Sequence, residues 1–188
     1  MNGSKTYFIN NIIFCAALQA ENARLIFFAP LGILIPAKEK GVVTMIEQDT
    51  IKLLRECDAG TKMGISSIED VLEHVKKEDF RKKLTKCRQE HQDLQVKILQ
   101  ELEKYKDDGK DPNPIAKGMS WMKTNMKLSM EESDATIAEL MTDGCNMGVK
   151  SLNRYLNQYK AADEISKDMA KRLINLEEKL AVDIRQYL

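Results

Sequence analysis

From Met45 onward the apolar positions recur in alternating steps of three and four, the spacing that places side chains on one face of a helix. Four such stripes follow one another. The first takes Leu54, Cys57, Thr61, Gly64, Ile68, Val71 and Val75, and the second Phe80, Leu84, Cys87, His91, Leu94, Ile98 and Leu102. The third takes Met141, Cys145, Gly148, Leu152, Tyr155 and Tyr159, and the fourth Met169, Leu173, Leu176, Leu180, Ile184 and Tyr187. Short polar joints near Lys76–Glu78 and Ala161–Asp163 predict that the helices pair as two antiparallel hairpins. Gly109, Pro112 and Pro114 predict the end of the second helix, and Ser133 the cap of the third. The stretch between carries its own amphipathic stripe, Ile115, Met119, Met122, Met126 and Met130. It is long enough to let the third helix run parallel to the second.

The two hairpins read as copies. "GTKMGISSIEDVL" (Gly60 to Leu72) and "GCNMGVKSLNRYL" (Gly144 to Leu156) both fit G-x-x-M-G-[IV]-x-S-[IL]-x-x-x-L, and "DFRKKL" in the second helix matches "DMAKRL" in the fourth. A glycine inside a helix costs roughly 1 kcal/mol relative to alanine, so four of them need an offsetting gain. The expectation is that Gly60, Gly64, Gly144 and Gly148 give the first and third helices smooth patches for close packing. Vacated room for bulky neighbours, or a local kink, is the alternative.

Residues 1–44 differ in character, holding four of the five phenylalanines and apolar runs too short to span a bilayer. Codons able to specify Glu39–Met45 include a purine-rich run of the kind that precedes bacterial start codons. The sequence therefore predicts translation from Met45 and a folded domain over residues 45–188. A secretory signal or membrane anchor is the alternative for the leader. Composition narrows the partners: Lys plus Arg and Asp plus Glu balance at 29 each, which argues against nucleic acid and an anionic membrane. Cys15, Cys57, Cys87 and Cys145 form no C-x-x-C pair and read as reduced thiols of a cytoplasmic protein.

"LLRECDAGTKMG", "KGMSWMKTNMK", "SDATIAELMTDGCNMGVKSLNRYL" and "LINLEEKLAVDIRQYL" resemble a bacterial ferritin-like domain family of the clostridial type. The similarity extends remotely to rubrerythrin and ferritin. It implies an all-α, ferritin-like four-helix bundle of two αα-hairpins joined by a long, partly helical crossover, and a homo-oligomer. Catalytic members of that superfamily hold two irons between Glu and Glu-x-x-His side chains on facing helices.

This chain carries that pattern only in halves. His91 stands on the second stripe, but Arg88 occupies the place three before it; Glu177 stands in the fourth helix, but Leu180 occupies the place three after. Glu56 and Asp58 flank the first stripe rather than lying on it. The expectation is a non-enzymatic bundle acting through oligomerisation or protein interaction, with no catalytic residue assigned. The alternative is an iron- or zinc-binding redox protein with a degenerate site drawn from His91, Glu177, Glu56, Asp58 and Cys145. For His91 the sequence favours a buried neutral imidazole bonded to Thr61 or a carbonyl, and for the cysteines a packing role. Met119, Trp121, Met122 and Met126 of the crossover could meet a protein partner, or simply cover the flank of the bundle.

Overall fold

Each member of the predicted second stripe, from Phe80 to Leu102, is buried, and no other residue of its helix is. The computed structural model describes residues 37–112 and 133–188, with side chains from residue 44 onward. The chain divides into two units, Met1–Val43 and Thr44–Leu188, and the account below concerns the second. Among the described residues the fold is all-helical: α1 (Ala37–Leu72), α2 (Glu78–Glu103), α3 (Asp134–Gln158) and α4 (Glu164–Asp183), closed by a 3₁₀ turn at Arg185–Tyr187. No helix among these residues is long and apolar enough to cross a membrane. The crossover residues Ile115, Met119, Trp121, Met122, Met126 and Met130 lie outside the described residues, as does residue range 1–36.

Two apolar clusters show which way the helices run. One gathers Val71 of α1 and Val75 just after it, Phe80 and Leu84 of α2, Ile137 and Met141 of α3, and Leu180 of α4 with Ile184 just after it. The other gathers Leu53 and Leu54, Ile98 and Leu102, Leu152, and Met169 and Leu173. Thus α2 and α3 pass from the first cluster to the second, while α1 and α4 pass the opposite way. Helix α4 packs against both α2 and α3.

The helix ends are sewn by side chains from neighbouring elements. Arg81 donates to the Leu72 and Val75 carbonyls, which satisfies acceptors left open at the end of α1. Asp134 accepts from the Lys76 and Lys77 amides at 2.7 and 2.9 Å, tying the first joint to the start of α3. Ser133 accepts from the Thr136 amide and Asp163 from the Ser166 amide, so α3 and α4 both begin on side-chain caps. At the far end Thr50 of α1 accepts from the Asp163 amide. Helix α2 stops at Glu103, well before Gly109 and Pro112. Lys106 takes a positive φ of 56° and Gly109 one of 85°, and the chain turns back there.

Candidate functional site

Four of the repeated positions, Gly60, Met63, Gly64 and Ser67, share one face of α1, and their counterparts Gly144, Met147, Gly148 and Ser151 share the equivalent face of α3. All eight line a single cavity of about 490 Å³. Glu56, Lys110, Pro112, Met141, Cys145, Arg154, Tyr155, Leu173 and Glu177 contribute to its walls. The duplicated motif is therefore the signature of this cavity.

The glycines serve it unequally. A methyl group at Gly64 would stand 2.7 Å from the His91 ring, at Gly60 3.1 Å from Leu173, and at Gly148 3.4 Å from Glu177. At Gly144 it would meet nothing within 4 Å. The close packing of helix against helix expected at Gly60, Gly64, Gly144 and Gly148 is thus replaced by vacated room. Side chains from α2 and α4 rise into three of the four spaces, and the fourth opens into the cavity. The signs of substitution follow. Gly144→Ala is expected to stabilise the fold by about 0.5–1 kcal/mol, the ordinary helical gain. Gly64→Ala is expected to destabilise it by about 1–3 kcal/mol through overpacking against His91. Urea unfolding midpoints that move the same way in both variants would refute this assignment.

His91 is 1% exposed, and its ring is held at both nitrogens. Nδ1 donates to the Cys87 carbonyl at 2.9 Å, with the Cys87 sulfur 3.5 Å away, and Nε2 donates to Glu177 Oε1 at 3.2 Å. Burial alone would lower the imidazole pKa, but the Cys87 side chain and the Glu177 carboxylate outweigh it and raise it to about 10. The burial and the carbonyl partner expected from the sequence are present, the carbonyl being that of Cys87, while the raised pKa favours a protonated ring beside Glu177 over the neutral one expected. Thr61 is not its partner, since the Thr61 hydroxyl donates to the Asp58 carbonyl. Glu177 serves a second neighbour: burial first, and then this carboxylate, push the Cys145 thiol well above the ordinary thiol range. Burial likewise pushes the Cys57 thiol up to about 12, where it acts as a small apolar core group.

Glu56 and Asp58 do other work. Lys110 Nζ donates to Glu56 at 2.6 Å. Asp58, fully buried, accepts from the Lys110 amide at 2.9 Å and from Gln95 at 3.4 Å, and pairs with Lys62 at 2.9 Å. Arg55 reaches Asp107 at 2.9 Å. These contacts tie the segment after α2 to α1. Among the described residues no three His, Cys, Asp or Glu side chains converge on one point where an ion could sit. The structure brings His91, Glu177 and Cys145 together and leaves Glu56 and Asp58 engaged elsewhere, so the donor set does not fit two irons bridged by carboxylates.

Sequence reasoning missed Met63, Met147, Ser67 and Ser151 as site residues. Their signal was present in the repeat itself, where four positions on one helix face agree between copies. Lys110, Arg154 and Tyr155 carried no such mark. No family model, curated protein or solved structure matches the chain.

Proposed function

We propose that this chain is a non-enzymatic binding protein built on the ferritin-like hairpin pair, with the cavity between α1 and α3 as its working surface. One observation carries the reading: four pairs of identical residues in the two segments, Gly60 and Gly144, Met63 and Met147, Gly64 and Gly148, and Ser67 and Ser151, all border that cavity. The costly glycines recur at equivalent places on the two helices, three of them admitting side chains of α2 and α4 and Gly144 leaving open space. The volume is within the range of sites that enclose small ligands. In the position where superfamily enzymes place metal-binding carboxylates, His91 and Glu177 neutralise one another, which supports binding over oxygen chemistry. Assembly into homo-oligomers belongs to the same proposal as an inference from the resemblance.

The test is occupancy of the cavity by a probe. Anilinonaphthalene sulfonate offers an apolar body to the Met and Leu walls and an anion to Arg154, for which the described residues provide no ion-pair partner. It is expected to bind the native protein in a one-to-one complex. Gly144→Phe, which fills open space, is expected to weaken that binding about tenfold or more without lowering the unfolding temperature. A native protein that leaves the dye in water, or a Gly144→Phe variant that binds it equally, overturns the proposal. Iron or zinc at one ion or more per chain in untagged protein, lost in His91→Ala, would overturn it in favour of the metal alternative.

A further inference from the structure

The cavity wall carries four sulfur atoms, from Met63 on α1 and from Met141, Cys145 and Met147 on α3. We propose that these sulfurs bind a soft monovalent cation, Cu(I) or its analogue Ag(I). The inference rests on the cavity being the working surface and names the ligand class for it.

The placement of the donors supports this chemistry. Met63 and Met147 hold the same position in the two repeats, so each wall contributes one thioether. Met141 and Cys145 lie four apart on α3 and share a helix face; they are 4% and 2% exposed. Met147 is 61% exposed and stands where an arriving ion would first meet sulfur. The α3 donors thus run from solvent to interior along one wall, with Met63 on the other. Thioether and thiolate ligands select Cu(I), whereas hard cations need free oxygen donors. The two carboxylates of the cavity are both committed, Glu56 to Lys110 and Glu177 to His91.

Charge decides the valence. Arg154 is exposed to solvent and the other charged groups at the cavity are paired, so an ion entering the deep part of the site has one compensating charge to draw on, the Cys145 thiolate. Binding converts the Cys145 S–H bond into a sulfur–metal bond and releases one proton, with no change of oxidation state. Glu177, the carboxylate whose charge acts on that thiol, is placed to accept the proton and pass it to solvent through the cavity. A monovalent ion leaves the site neutral; a divalent one would strand a positive charge in it.

The experiment is a competition for Cu(I) between bicinchoninate and the reduced, full-length protein under anaerobic conditions. The native chain is expected to withdraw one Cu(I) and to develop an ultraviolet thiolate-to-copper band. Cys145→Ser is expected to lose the band and bind at least about tenfold more weakly. Met63→Leu and Met147→Leu, which conserve volume, should each weaken binding several-fold while leaving the unfolding temperature unchanged. Because Met147 is exposed, its variant tests the site without endangering the fold. Failure to withdraw Cu(I), or equal affinity in Cys145→Ser or in the double leucine variant, overturns the inference. If the dye still binds in that case, only the ligand class falls; if the dye also fails, the cavity reading falls with it.

Discussion

Stability is expected to decline as the pH rises from about 6.5 toward 10, and Glu177→Ala is expected to make that decline shallower. The His91 pKa stands at 6.5 in the absence of its neighbours and about 10 in the folded chain. Below 6.5 both states carry the proton and the pair contributes fully. Between the two values the unfolded chain releases a proton that the folded chain keeps, so stability falls by about 1.4 kcal/mol per pH unit. By about pH 10 the contribution is gone. The groups facing the ring are Cys87 on its own helix, Glu177 on α4 and, beyond that carboxylate, Cys145 on α3, while α1 presents Gly64. Above roughly pH 8.5 the raised thiols of Cys57 and Cys145 add in the same direction, so the interval from 6.5 to 8.5 isolates His91. Removing Glu177 leaves a buried imidazole without its counter-charge and is expected to cost about 3 kcal/mol at pH 6.5. Urea unfolding at pH 6.5, 7.5 and 8.5 reads both effects. A Glu177→Ala variant that retains the native pH slope would show that the pair does not hold the proton.

The largest loss is expected from Asp58→Ala, about 3–5 kcal/mol. Its carboxylate is fully buried and receives the Lys110 amide, Gln95 and Lys62 at once. Truncation strips all three donors of their acceptor and releases the segment that Gly109 turns. Gly109 has φ +85°, and a side chain there would run into the Asp58 carboxylate, so Gly109→Ala should be damaging through the same contact. Asp58→Asn keeps an acceptor for the Lys110 amide and is expected to cost about half as much as Asp58→Ala. Amide exchange across residues 104–112 should accelerate in Asp58→Ala even where the rest of the chain remains protected. Native-like unfolding and exchange in that variant would remove Asp58 from this role.

Asp58 also shows where reading by pattern stops. It is as buried as any leucine of the core, yet it lies off the apolar stripe of α1. Its burial depends on a turn more than fifty residues later folding back onto it, and no local periodicity encodes that return. Glu56 is a similar case, since Lys110 is brought to it by the same segment. For the glycines, the repeat marked the right positions and the smooth face, but not what faces it. Gly64 and Gly148 are equivalent in sequence, yet one meets an imidazole ring and the other a carboxylate.

The sequence by itself determined that the chain is helical, where each helix turns its apolar face, and that one glycine-bearing pattern stands on two of the helices. Those properties follow from contacts three and four residues apart along a single helix, and local spacing carries them in full. Tertiary structure alone decided that the halves of a split motif, His91 and Glu177, would meet as an ion pair, and that the paired glycine faces would border a cavity. Which side chain fills a vacated space is set by the axial offset and rotation of one helix against another. Those quantities arise from the packing of all the helices together, and no single segment specifies them.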